Sequence, residues 1–378
     1  VVVIGPSLAD GTDARSSGSG PLTRIVRMDP VFPRPLVPGD LVGVTSPSSG
    51  VPEELRPRLE VALASVRDAG LEVEVGACMD GAGLVSAAAP DRARELQRML
   101  LDPSIRAIVP PWGGDLAIDL LELLDWEAIA EAEPTWVVGF SDVSTLLTPL
   151  TLLTGWATLH GQNLLETPCA PPAGLRSWLD VVTLPPGATI AQTSPGAHRS
   201  EFVDWVEHPE VDEYVLDAPG AWTRLDELGG DLDVQGRLLG GCVETLSPLA
   251  GTRFLDPSRL VPPGGGLILY LDIAEFDAAA TCRALHGMRL NGVFEHASAV
   301  LVGRTDAPSL GTFTQHDAVI DALGPLGIPV LADVECGHVA PYMPLVNGAR
   351  CRVEHTPSVS RVTQTLGSAP TPQGPTAS

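Results

Sequence analysis

The chain has 378 residues, enough for two domains of ordinary size with their own cores. Its formal net charge is −24, its 23 basic residues are all arginine, and lysine is absent. A field this negative argues against nucleic acid as a partner, and no apolar run is long enough to span a bilayer.

Residues 1–35 are rich in Gly, Ser and Pro and lack periodicity, which predicts a mobile extension with Met28 as a candidate natural start. Val1-Val-Val-Ile is too short for an export signal and has no basic flank. Residues 36–165 alternate between strand and helix patterns. Strands are expected at Asp40–Ser46, Leu71–Val75, Ile105–Val109 and Trp136–Gly139. Helices are expected at Pro52–Ala69, Asp91–Leu101 with Asp91 as N-cap, Asp115–Leu124 and Val143–Leu153. Such a series predicts an α/β domain with a largely parallel sheet, whose ligands sit at the carboxyl ends of the strands. Residues 166–235 are Pro-rich, acidic and irregular, with Trp178, Trp205 and Trp222, and read as an inter-domain linker or insertion. Residues 236–358 form the second expected domain. Its strands are Gly266–Leu271, Ala299–Gly303 and Pro329–Ala332, and its helices Ala278–Leu290 and His316–Leu323. Residues 359–378 read as a disordered tail.

The six cysteines are scattered, with no C-x-x-C pair and no Cys/His cluster at zinc-ligand spacing. They read as reduced thiols of a cytoplasmic protein, and neither a metal nor another cofactor is expected.

The chemistry concentrates at Gly139-Phe-Ser-Asp142, where a buried strand turns sharply into a helix. Ser141 on that turn points its hydroxyl at a helix start, whose amides and dipole favour a developing oxyanion. The G-x-S-x-G elbow is not met, because Val143 stands where the second Gly would be; a plain turn with an N-cap remains the alternative. Trp112-Gly113-Gly114-Asp115 follows another strand; its glycines let the backbone approach a ligand and expose amide donors, or merely make a turn capped by Asp115. His338 lies in a loop after an apolar strand, and His160, closer to Ser141 in sequence, competes with it as a base. Asp272, or Glu275 three residues on, is placed to orient an imidazole. The order Ser, acid, His is one that builds triads.

These segments together resemble the LD-carboxypeptidase-type serine peptidases. The resemblance is carried by Gly39-Asp-Leu-Val-Gly-Val-Thr-Ser, Pro110-Pro-Trp-Gly-Gly, Val138-Gly-Phe-Ser-Asp-Val-Ser, Thr158-Leu-His-Gly, Arg237-Leu-Leu-Gly-Gly and Gly337-His338, and covers residues 36 to 358. It implies a flavodoxin- or glutamine-amidotransferase-like parallel-sheet domain followed by a mixed α/β, barrel-like swivelling domain. It implies a metal-free triad with Ser141 as nucleophile and His338 as base. The backbone N–H groups of Gly114 and Asp142 become the oxyanion donors, and His160 becomes structural. A homodimer is also implied. Two departures stand out: Asp272 replaces the family's Glu, one methylene shorter, and Cys242 replaces its Asn. The family has a branch that trims D-alanine from muropeptides. A second, of the microcin C immunity type, cleaves aminoacyl or peptidyl groups from a modified nucleotide. Glu201-Phe-Val-Asp-Trp-Val-Glu resembles the insertion of the second branch, with Trp205 placed to stack on a base and Gly113 to border the substrate. The expected ligand is therefore a small peptide or aminoacyl-nucleotide, with no membrane.

Overall fold

The computed structural model describes residues 28–367, so most of the expected extension and the end of the expected tail lie outside the described residues. Two large sheets organise them. The first contains β1 (Leu41–Val44), β2 (Glu72–Val75), β3 (Ile105–Ile108), β4 (Trp136–Gly139) and β5 (Thr158–His160), all parallel, in the order β5-β4-β3-β1-β2. The connecting helices are α1 (Arg56–Asp68), α2 (Ala89–Leu101), α3 (Trp126–Glu131) and α4 (Ser144–Thr154). β3 and β4 are buried at every position, as central parallel strands covered on both faces must be.

The middle of the chain adds α5 (Trp178–Val182), β6 (Thr189–Thr193), β7 (Ala197–His198), β8 (Ala218–Pro219) and β9 (Thr223–Arg224). It is followed by β10 (Leu232–Cys242), α6 (Val243–Leu246), β11 (Leu267–Asp272), α7 (Ala278–Leu290), β12 (Ala297–Gly303) and α8 (Gln315–Leu323). The last elements are β13 (Val330–Val334), β14 (Leu345–Asn347), β15 (Arg350–Thr356) and β16 (Val359–Thr365). The second sheet has the order β6-β16-β15-β10-β11-β12-β13-β9, with a parallel centre of β10 to β13 and antiparallel flanks. The architecture is thus α/β, with a parallel first sheet and a mixed second one. β14 leaves the second half to pair antiparallel with β5, closing one edge of the first sheet.

Helix α4 joins the halves. Its sequence, Ser-Thr-Leu-Leu-Thr-Pro-Leu-Thr-Leu-Leu-Thr, is apolar or weakly polar all round, and ten of its eleven residues are buried. Thr148 Oγ1 donates to Gly240 O at 2.7 Å, and Ser144 Oγ accepts from Cys242 N at 3.1 Å. One apolar cluster accordingly runs from Ile108 and Leu146 to Leu239 and Leu269.

Several expectations are corrected. Residues 359–365, expected in the tail, form β16, paired on both sides with Val362 and Gln364 buried. Residues 28–35, expected in the extension, are packed: Val31 bridges Trp156 and Phe32 is buried. The helix expected at Asp115–Leu124 is only a 3-10 turn at Ala117–Leu120. Leu116 N donates to Ser48 Oγ and Ala117 N to Asp142 Oδ2, so side chains of neighbouring segments satisfy the amides before the turn. Asp91 lies within the first turn of α2 rather than capping it. No helix among the described residues is long and apolar enough to cross a membrane.

Candidate active site

The carboxyl ends of β3 and β4 carry the two turns singled out by sequence. Ser141 has φ 61°, in the left-handed region that a non-glycine residue adopts only under constraint. The constraint is visible on both sides of it. Asn163 Oδ1 accepts from Phe140 N at 3.1 Å, and Gly139 O accepts from Gly161 N at 3.1 Å. After it, Asp142 is buried and its carboxylate gathers three donors: Ser48 Oγ at 2.6 Å, Ala117 N at 2.8 Å and Thr145 Oγ1 at 3.1 Å. Asp142 therefore ties the loop after β1, the segment after β3 and the start of α4 together. Sequence reasoning considered only its backbone; the available signal for its side chain was an Asp directly after the turn serine, with Thr145 one helical turn on and a Ser-rich loop after β1.

Gly113 and Gly114 face this turn. A Cβ on Gly113 would lie 2.8 Å from Ser141 Cβ, 2.9 Å from Ser141 Oγ and 3.0 Å from Asp142 N. Gly114 has φ +140°, and a Cβ there would lie 2.4 Å from both Ser48 Oγ and Ser49 Oγ. Asp142 sits in the first turn of a short 3-10 helix, where N–H groups have no intrahelical acceptor. The Trp112 indole fixes the neighbouring loop, donating to Gly50 O at 2.9 Å.

The imidazole comes from the second sheet. His338 Nδ1 lies 2.8 Å from Asp272 Oδ1, so the Asp at the end of β11 reaches the ring despite its shorter side chain. Glu275, the alternative acid, is exposed; its backbone N–H donates to Glu244 Oε1. Asp272 is fully buried, and its Oδ2 makes no hydrogen bond among the described residues. Burial pulls the His338 pKa down. The charge of Asp272 and its hydrogen bond, with Glu244 and Glu275 further off, outweigh that and hold it above the ordinary histidine value. Phe140, next to Ser141, packs on the His338 ring with centroids 5.0 Å apart. His160 is buried behind the site, with Nε2 3.2 Å from Cys336 O and its ring against Tyr270. Burial holds its pKa below the ordinary value.

Three glutamates that sequence reasoning missed support this region. Glu244 Oε1 accepts from the N–H groups of Ala274, Glu275 and Phe276 at 2.9–3.0 Å, fixing the turn just after Asp272. Its Oε2 accepts from Cys242 Sγ at 3.1 Å, and burial pushes that thiol well above its usual pKa. Glu335 is buried under the His338 loop, accepting from Trp222 Nε1 at 2.7 Å and from Ser194 Oγ. Glu166 is buried, with Tyr214 and Tyr342 hydroxyls at 3.1 and 3.2 Å and Arg199 at 3.9 Å. Single glutamates whose partners come from distant segments carry no local pattern by which they could be found.

Ser141, His338, Gly113, Gly114 and Trp205 all line one cavity of about 750 Å³. Its wall carries six carboxylates, Glu54, Asp115, Glu166, Asp204, Glu244 and Glu275, against the single guanidinium of Arg199. Trp205 is only 8% exposed, because the Arg58 guanidinium lies 5.0 Å from its ring centroid and Phe202 packs edge-on at 4.7 Å. Phe202, 55% exposed, is the more accessible ring at the cavity wall.

Known proteins match this arrangement. The LD-carboxypeptidase N-terminal domain matches residues 42–161 and the LD-carboxypeptidase C-terminal domain residues 235–353. The microcin C7 self-immunity protein MccF of Escherichia coli is 24% identical over 337 residues, 87% of this chain and 95% of that protein. A carboxypeptidase-named protein of Streptomyces coelicolor is 30% identical over 316 residues, 82% of this chain and 88% of that one. A solved structure of MccF in complex with aspartyl sulfamoyl adenosine shares the fold, with a TM-score of 0.76 at 23% identity, covering 90% of this chain and all of that one.

Proposed function

This chain belongs to the LD-carboxypeptidase family of serine-type peptidases, and on that premise we propose that Ser141, His338 and Asp272 are its catalytic triad. The observation that carries the reading is the 2.8 Å contact of His338 Nδ1 with buried Asp272, beside a serine held at φ 61° in the same cavity. Ser141 Oγ attacks an amide carbonyl while His338 Nε2 takes its proton. Asp272 Oδ1 accepts the Nδ1–H bond and stabilises the imidazolium. The N–H groups of Gly114 and Asp142 hold the oxyanion. His338 returns the proton to the departing amine, and water then releases the acyl group from Ser141 by the same relay.

For the substrate we favour an aminoacyl or peptidyl group amide-linked to a nucleotide. The support is an aromatic pair, Phe202 and Trp205, supplied by the segment between the two sheets to the wall of the catalytic cavity. The second reading is release of a terminal D-amino acid from a muropeptide. Arg199, the one guanidinium in the wall, favours it, since a terminal carboxylate needs a cation.

Aminoacyl sulfamoyl adenosines and a muropeptide tetrapeptide, offered side by side to the parent and to Ser141→Ala, test both levels. Hydrolysis by the parent should fall by about 10⁴-fold or more in the variant; equal rates would sink the triad. A stacked base is worth about 1–3 kcal/mol, so Phe202→Ala should raise KM about five- to 150-fold for the nucleoside substrate; the Arg199 guanidinium lies 4.6 Å from the same ring, so a smaller rise is expected for the tetrapeptide. The reverse pattern would favour the carboxypeptidase reading. A parent silent on both and active as Asp272→Glu would mark a ligand-binding homologue.

A further inference from the structure

On the far side of the second half, three chemically different donors converge. Cys282 and His286 lie four residues apart on α7, hence one turn apart on one face. Asp321 projects toward them from α8. His286 Nε2 is 2.7 Å from Asp321 Oδ1 and Cys282 Sγ is 3.4 Å from the same oxygen. The three donor atoms all lie within 4.8 Å of one another. We propose that Cys282, His286 and Asp321 form a binding site for a divalent metal of the zinc class, clamping α7 to α8.

The donor set argues for that class. A thiolate, an imidazole and a carboxylate suit borderline-soft ions and not calcium or magnesium, which take oxygen shells. Zinc–ligand bonds of about 2.0–2.3 Å in a tetrahedron put ligand atoms roughly 3.2–3.8 Å apart. The 3.4 Å Cys282–Asp321 separation already falls in that range, the 2.7 Å His286–Asp321 separation is shorter and would have to open, and the third is no more than 4.8 Å. Asp321 Oδ1 now accepts from both Sγ–H and Nε2–H, the two positions a cation would take over. Thiolate and carboxylate together cancel the charge of the ion despite the neighbouring Arg289, and Asp321 is exposed, leaving a fourth position to water. All six cysteines are free, and Cys282 is the one that is not fully buried. Sequence spacing did not show the site, because a helical Cys-x-x-x-His pair is unlike the usual loop spacings and the third donor comes from another helix.

A thiol with the ordinary pKa of about 8.5 is protonated at neutral pH, and Cys282 Sγ–H donates to Asp321 Oδ1 before metal arrives. Binding releases that proton, about one per metal, while the ring proton of His286 moves from Nε2 to Nδ1. Arg289 Nη2, now 3.1 Å from His286 Nδ1, must then let go, which opposes binding.

The test uses the untagged, chelator-treated full chain, titrated with Zn²⁺ and with Co²⁺ as a spectroscopic substitute. One equivalent should bind with release of about one proton, a thiolate-to-cobalt charge-transfer band and a rise in Tm. Cys282→Ser should abolish the band, and Cys282→Ser and His286→Ala should each weaken Zn²⁺ binding by at least about tenfold. Arg289→Ala should strengthen it. Metal-free Tm values equal to the parent's show that the variants fold. A parent without the band, or a band or affinity that survives both ligand variants, overturns the site.

Discussion

The serine turn and the histidine loop are held by different means. The turn around Ser141 is fixed by partners from the first half of the chain: the Asn163 and Ser48 side chains, the Asp142 carboxylate and the two glycines after β3. The histidine loop is fixed by side chains and backbone from distant segments. Asp272 holds the ring, Glu335 is anchored by Ser194 and Trp222, and Ala340 O accepts from Arg199 N at 3.1 Å. The middle segment, 194–222, is thus a brace for the base and not for the nucleophile. Perturbing it should change how the imidazole is held while leaving the serine turn alone.

The largest effect is expected from breaking the bond between the end of β11 and the ring on the loop after β13. Asp272→Asn should cost about 10⁴-fold in kcat, because an amide no longer selects the proper tautomer. A loss below about tenfold would show that Asp272 is not the orienting acid. Gly113→Ala attacks the other partner. Its Cβ would enter within 2.9 Å of Ser141 Oγ, and displacing the nucleophile by about 1 Å should cost about 10²-fold, with the pH profile unchanged.

A smaller effect should come from the brace. Trp222→Phe leaves buried Glu335 Oε2 without its donor, at a cost of about 1–3 kcal/mol in stability. It should also move the acidic limb of the kcat/KM profile, which Gly113→Ala should not; equal limbs in both would erase the distinction between turn and loop. The parent limb itself should lie above the ordinary histidine value of about 6.5, because the base must be neutral and its folded pKa is raised. In Asp272→Asn the limb should move to lower pH. For stability the sign is opposite. The raised His338 pKa contributes stability that is fully present below about pH 6.5 and lost as pH rises through the folded value.

The same contrast explains what could be read from sequence. The strand at Trp136–Gly139 and the helix at Ala278–Leu290 have the bounds expected, because continuous apolar or helical periodicity marks both. Ser141, Gly113 and Gly114 were legible because a turn's requirements are local. Asp272 was legible only as a candidate beside Glu275, since reach to His338 depends on how β11 and the loop after β13 are set together. β10 was missed over all of its eleven residues because Gly236, Gly240 and Gly241 break its strand pattern. A Cβ on Gly240 would lie 1.9 Å from Tyr270 O, so close packing, not turn formation, explains that glycine. β16 was misread because its polar, alternating Val-Ser-Arg-Val-Thr-Gln-Thr resembles a tail until β6 and β15 bury one face.

The late strand β14 has a consequence for synthesis. Until Leu345–Asn347 emerges from the ribosome, the backbone edge of β5 has no neighbour, and an open edge invites pairing with other nascent chains. His338 emerges only seven residues before that strand. The moment that seals the exposed edge is therefore nearly the moment that delivers the base, so a truncated nascent chain carries a nucleophile it cannot use.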